Sequence, residues 1–372
     1  MTIDQQFFEL LRVAIGTQEK LSRIPTDSEW ALIYDMAKKQ SLVGVCFAGV
    51  QKLKSSNPSN TSNISELQYL TWMGMAAMIQ QRNQILNEQC NELRKLLDND
   101  GFASVMLKGQ GVAKLYGSLA ELRQSGDIDV WMCPKDGCKL SHTERATKVI
   151  NYLKSKAECG HTTYHNTSWN VMDGTEVEAH YTPSWLYSPV KNRKLQKWFE
   201  SVAETEMKGE FSSVEFNMVY VLQHIYRHLF GEGIGLRQVL DYYFVLKSRS
   251  NNHDNDDDND NLLNTLESFG LMKFAGALMY ILESHLGLEE KYLLCPADPE
   301  EGAFLLSEIM QAGNFGHYDE RISREQKGLL GGFWMHVKRN MHFVTHYPSE
   351  VLWCPLWKVW HQLWLRRMNI NK

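Results

Sequence analysis

The apolar period of this chain changes twice, and that switch limits the folds open to it. Through the first hundred residues apolar positions recur at helical spacing. Phe7, Phe8, Leu10, Leu11 and Val13-Ala14 mark one face, and two segments over 27–54 repeat the pattern. Residues 54–60 interrupt it with Lys-Ser-Ser-Asn-Pro-Ser-Asn, and 64–99 resume it through Leu67, Leu70, Met73, Met78, Ile85 and Leu93. After the Asn99-Asp100-Gly101 turn the character becomes strand-like. Phe102–Leu107 suits a buried strand, a helix is expected from Gly109 to about Tyr116, and Asp127–Met132 alternates. Residues 141–157 read as helix. His161–Thr167 and Trp169–Val171 lead into Asp173-Gly174, a tight-hairpin dipeptide, and Thr175–Tyr181 is the returning strand. From about residue 212 the helical period holds to the end. The pattern predicts an α+β fold, a small mixed sheet between helical N- and C-terminal regions, divided as 1–99, 100–205 and 206–372.

Composition narrows the function classes. Of 372 residues 43% are hydrophobic and 22% charged, an ordinary globular profile. A net charge of -5 argues against a broad basic surface for nucleic acid, though a local phosphate pocket is compatible with it. The N-terminus has no basic segment followed by an apolar core, and no apolar run approaches the roughly 18 residues of a membrane span. Seven scattered cysteines fit reduced thiols, so a cytoplasmic location is expected. Cys133, Cys138 and His142 form a loose C-x4-C-x3-H that lacks a fourth zinc ligand. The acidic stretch within Ser248–Asn264 lacks the glycine and final glutamate of a calcium loop and reads as a solvated connection between helices.

Chemistry concentrates in Leu107-Lys108-Gly109-Gln110-Gly111 and Arg123-Gln124-Ser125-Gly126-Asp127-Ile128-Asp129-Val130. Residues two apart on a strand share a face, so Asp127 and Asp129 project together, while Ile128 and Val130 anchor the strand. Adjacent carboxylates repel unless a cation separates them, and hard oxygen ligands suit Mg²⁺, with Mn²⁺ as the alternative. A glycine turn at a helix start presents backbone N–H groups to phosphate. Lys108 adds a point charge there and Arg123 a bidentate phosphate contact. A third carboxylate would complete a metal cage. Glu176 and Glu178 share one face of the last strand, with His180 beside them.

The order strand, Lys-Gly, helix, Arg-x-Ser-Gly-Asp-Ile-Asp and a later Glu-Ala-His resembles the uncharacterised nucleotidyltransferase family within the DNA polymerase β-like superfamily. The resemblance covers roughly residues 100–245. It implies that Gly109 is the glycine turn, that Arg123, Ser125 and Gly126 lead into the metal-binding pair Asp127 and Asp129, and that Glu178 is the third acid. It extends to Leu222–His228 and Gly235–Asp241. The turn reads Gly-Gln where the superfamily usually has Gly-Ser or Gly-Gly, and the literal Gly117-Ser118 falls at the helix end. The implied activity is transfer of a nucleoside monophosphate from an NTP, ATP among them, to an acceptor. The expected phosphate ligands are Lys108, Gly109, Gln110, Arg123, Ser125 and Gly126. A small molecule or a protein suits the acidic chain better as acceptor than long nucleic acid. The competing reading is an inactive nucleotide-binding, regulatory or interaction module that keeps the fold.

Several signals have blander explanations. His224 and His228 stand four apart without the glutamate of a zinc helix, which favours buried polar contacts or cleft lining over metal binding. Arg237 and Asp241 suit an intrahelical ion pair, and the resemblance also places them and His180 at the cleft. Gly313-Asn314-Phe315-Gly316 reads as a helix cap. Trp353, Trp357, Trp360 and Trp364 form a stripe at helical spacing, better explained by packing on the core than by a membrane surface.

Overall fold

A computed structural model describes residues 2–135, 140–249, 256–319 and 340–368. Helix α1 (Ile3–Ile15) opens on a Thr2–Gln5 capping box and closes on Gly16 at φ +84°. Helix α2 (Asp27–Lys39) uses the equivalent Thr26–Glu29 box. They precede α3 (Val43–Ser56) and the 34-residue α4 (Glu66–Asn99). The expected helical first hundred residues are therefore present, with their break at the Asn57–Thr61 turn.

The strands are β1 (Phe102–Met106), β2 (Ile128–Pro134), β3 (Cys159–Thr162), β4 (Asn166–Met172) and β5 (Thr175–His180). They form one mixed sheet in the order β1-β2-β5-β4-β3. Only the β2–β5 pair is parallel. The return from β2 to a parallel neighbour runs through α6 (His142–Lys156) and the β3–β4 ribbon. Asp173-Gly174 makes the two-residue β4–β5 turn, with Met172 paired to Thr175 and Gly174 at φ +63°.

The segment after β1 differs from expectation. In place of a helix from Gly109 to Tyr116 there is a single turn, α5 (Gln110–Ala113), followed by 3₁₀ structure over Lys114–Leu122 that bends at Gly117 (φ +57°). Glycines at 109, 111 and 117 deprive the helix of continuity: 109 and 117 take positive φ, and 111 is closely packed. A Cβ on Gly111 would stand 2.9 Å from the Met106 carbonyl oxygen.

Sheet residues alternate between two apolar layers. Ile128, Val130 and Met132 of β2, with Val177 and Ala179 of β5, pack with Leu86, Cys90 and Leu93 of α4 and Val149 and Leu153 of α6. The opposite face turns Trp131 toward Phe199 of α7 (Pro189–Glu206) and Phe216 of α8 (Val214–Gly231), the latter stacked at 5.9 Å. That second layer continues into α9 (Leu236–Lys247), α11 (Met272–Leu286) and α12 (Pro299–Ala312), and it takes in α1–α3 as well. The two helical ends of the chain thus share one apolar core.

Two expectations at the C-terminal end need adjustment. The acidic stretch is not a loop throughout: α10 runs Asp256–Phe269, and only 250–255 lie outside the described residues. The tryptophans of α13 (Pro348–Arg367) divide. Trp364 is buried and Trp357 stacks on Trp185 at 4.9 Å, whereas Trp353 and Trp360 remain 40% and 44% exposed. The cap expected at Gly313 is present, ending α12.

Candidate functional site

The parallel β2–β5 pairing sets Asp129 directly opposite Glu178, and Trp131 opposite His180. Parallel neighbours in register point the same way, so Asp129, Glu178 and His180 converge on the α8 side of the sheet. Their ligand atoms lie within 4.8 Å of one another, the single such group among the described residues. Glu176 is exposed and stands apart from it. His180 Nε2 lies 3.0 Å from Asp129 Oδ1 and 3.4 Å from Glu178 Oε2. Lys108 Nζ lies 3.1 Å from the same Asp129 oxygen.

Burial sets the electrostatics. Asp129 is only 3% exposed, and desolvation pushes its carboxyl up despite the adjacent Lys108 ammonium. Burial would also raise Glu178, but the His180 hydrogen bond and Lys108 outweigh it and hold Glu178 well below the usual carboxylate range. For His180 burial opposes the charge, and the hydrogen bonds to Asp129 and Glu178 prevail, raising it. Asp129 Oδ2 is buried without a hydrogen-bond partner among the described residues. An unsatisfied buried carboxylate oxygen is costly, and a cation is the partner its charge calls for. Two carboxylates within reach of one another fit a hard divalent ion, with His180 able to orient both.

Asp127 precedes β2 and is half-buried. It lines a narrow cleft together with Lys108, Gly109, Asp129, His224 and Arg237. Register across the sheet makes Glu178 the carboxylate that faces Asp129 within the three-residue group, while Asp127 stands outside that group and its charge still helps to raise the Asp129 carboxyl. Gly109 stands at φ +55°, a conformation that favours glycine, and a Cβ there would lie 4.0 Å from Asp129 Oδ2. Gln110 reaches away from the cleft, donating to Asn87 Oδ1 of α4 at 2.6 Å.

Arg123 does not stand free for phosphate. Its guanidinium grips Asp241 of α9 through Nε–Oδ1 at 2.7 Å and Nη2–Oδ2 at 2.8 Å, and Nη1 donates to Ser125 Oγ at 2.7 Å. Tyr116 OH donates to the same Asp241 at 2.6 Å. The Arg237–Asp241 pair expected from helical spacing is replaced by this buried clamp. Arg237 instead donates to the Gln124 carbonyl at 2.7 Å, and its guanidinium lies 5.5 Å from the Phe315 ring. Both arginines thereby fix the Arg123–Gly126 turn that leads into Asp127.

His224 and His228 of α8 face one another at 4.3 Å, and burial holds both well below the usual imidazole value, His228 near 4. His224 lines the cleft, and Arg227 Nη2 lies 2.7 Å from His228 Nε2. Cys133 is buried in β2, His142 is bonded to the Tyr164 carbonyl, and Cys138 lies outside the described residues.

Sequence reasoning missed Asn87, Tyr116 and Phe315. Phe315 closes one side of the cleft on a Gly313–Gly316 turn. The bracketing glycines flag a tight turn, yet nothing local says that it folds against residues nearly two hundred positions earlier.

No single helix among the described residues is long and apolar enough to cross a membrane. No curated protein and no solved structure matches the chain. A family model described as uncharacterised nucleotidyltransferase matches residues 26–287, from the N-cap of α2 to the C-cap of α11. That match spans the sheet, the Asp129–Glu178–His180 group and most of the surrounding helices, and this chain belongs to the uncharacterised nucleotidyltransferase family.

Proposed function

We propose that the chain transfers a nucleoside monophosphate from an NTP to a small-molecule or protein acceptor, with Mg²⁺ or Mn²⁺ as cofactor. The observation that carries this reading is the facing pair Asp129 and Glu178, with its orphaned carboxylate oxygen, beside the Lys108-Gly109 turn. Asp127, Asp129 and Glu178 would hold the cation, whose charge offsets that of the triphosphate as the transition state forms. Lys108 and the backbone at Gly109–Gln110 would bind phosphate oxygens, with Ser125 and Gly126 shaping the adjoining turn. An acceptor oxygen or nitrogen bonds to the α-phosphorus, the bond to pyrophosphate breaks, and Glu178 takes the acceptor proton. His180 holds Glu178 in the orientation that accepts it. Arg123 acts through the turn, as the clamp on Asp241 places it.

One observation favours the inactive-module reading. Asp129 Oδ1 already has two partners, the Lys108 ammonium and the His180 ring, which lowers its need for a metal. The experiment is Mg²⁺-dependent NTP binding by calorimetry together with pyrophosphate release across small-molecule and protein acceptors. The proposal expects both to be lost when Asp127→Asn and Asp129→Asn are combined. Turnover unchanged in that double variant would overturn the assignment. Binding without turnover of any acceptor would establish the module, and no NTP binding at all an interaction protein.

A further inference from the structure

A second concavity lies on a different part of the molecule, between α7, α13 and the β3–β4 turn. Its volume is about 680 Å³, within the range of small-molecule sites. Trp353, Leu356, Trp357 and Trp360 of α13 form one wall, and Tyr164 and Tyr187 continue it. The wall is rigid where it meets the core: Trp357 stacks on Trp185 at 4.9 Å, and Tyr164 meets Trp360 edge-on at 5.4 Å. Toward solvent it stays open, with Leu356 59% exposed alongside the half-exposed Trp353 and Trp360. Large apolar side chains left open around a cavity mark a binding surface.

The opposite rim is net positive, two cations against the single carboxylate of Glu200. Arg193 and Lys197 stand at i and i+4 on α7, both exposed, and neither forms an ion pair with a described residue. Flat rings on one wall and two cations on the other match a ligand with an apolar planar body and an anionic edge. None of these residues lines the Asp129 cleft. Between the two sites stand the Trp185 and His165 rings, 4.3 Å apart, with His165 5.1 Å from His180.

We propose that this groove binds a small aromatic anion, its rings held by Trp353, Trp357 and Trp360 and its carboxylate, phosphate or sulfonate held by Arg193 and Lys197. The binding is independent of nucleotidyl transfer, so either reading can fail alone. The probe is anilinonaphthalene sulfonate, titrated into the full chain by fluorescence, beside phenylnaphthylamine, which has the same rings without the charge. One site per chain is expected. Arg193→Gln with Lys197→Gln should weaken the sulfonate by about three- to tenfold, the worth of two exposed charge contacts, and leave the neutral probe unchanged. Trp353→Ala with Trp360→Ala should weaken both probes by about tenfold or more. Both pairs are exposed enough to leave the fold intact, which circular dichroism checks.

Equal loss of the two probes on removing the cations would overturn the proposal, as would indifference of both probes to the tryptophan pair. Dimerisation in light scattering that the tryptophan pair abolishes would assign the groove to a second copy. Flotation with neutral phosphatidylcholine vesicles would assign it to a bilayer. Either result also overturns the small-ligand site.

Discussion

The buried Arg123–Asp241 clamp gives the sharpest test of how this fold is held together. The Arg123 side chain is 4% exposed, and Asp241 accepts from Arg123 twice and from Tyr116 once. Asp241→Ala would leave a guanidinium and a phenol buried without their acceptor. Breaking one side of such a pair costs about 3–5 kcal/mol, because the surviving charge stays desolvated. Tyr116→Phe removes a single hydrogen bond and should cost about 1 kcal/mol. Replacing both charges, Arg123→Met with Asp241→Leu, leaves no uncompensated charge, so most of that loss should return. The assay is guanidinium unfolding followed by tryptophan fluorescence and circular dichroism, comparing midpoints and slopes so that a multi-step transition is visible. The reasoning is refuted if the single variant stays within about 1 kcal/mol of wild type, or if the apolar double variant is as unstable as Asp241→Ala.

Gly111→Ala should destabilise by about 1–3 kcal/mol, since its Cβ meets a backbone carbonyl oxygen that cannot swing aside. Gly126→Ala, which opens onto empty space, should stay within about 0.5 kcal/mol, and equal effects at the two glycines would contradict the geometry. Burial lowers His142 and His361 to about 4, so each resists protonation only in the folded chain. Stability from these groups is fully present above the unfolded imidazole value of about 6.5 and is lost as pH falls toward 4, by on the order of 1–3 kcal/mol. Urea midpoints at pH 7.5, 5.5 and 4.5 should lie closer together when both are changed to Gln, the buried His165, His224 and His228 supplying the remaining slope, and an unaltered pH slope would exclude His142 and His361 as a cause. The cleft beside Asp129 has room for about one water, 30 Å³, with Phe315 on its wall. If an open form binds the nucleotide, Phe315→Ala should tighten NTP binding by about three- to tenfold in calorimetry, and unchanged affinity would rule the ring out as the obstacle.

Local pattern alone determined the succession of helical and strand segments, the Asp173-Gly174 hairpin and the membership of Asp129 in a strand with Ile128 and Val130 facing the core. Those features depend on side-chain period and turn chemistry, which neighbouring residues dictate. The glycine requirement at 109 and the closeness of Glu178 to the acidic pair became legible through the resemblance to known nucleotidyltransferases, since the two segments lie far apart in sequence. Only the tertiary structure decided which carboxylate faces Asp129, because that follows from the register of β2 against β5 and not from the content of either strand. It alone gave Asp241 to Arg123 in place of Arg237, since a helix offers i, i+4 pairing by default and a buried guanidinium from another segment outcompetes it. It alone joined α1–α3 to α8–α12 in one core and turned half of the tryptophan stripe outward. Amphipathic period records that a helix has an apolar face, and the partner of that face is fixed only when the whole chain has been packed.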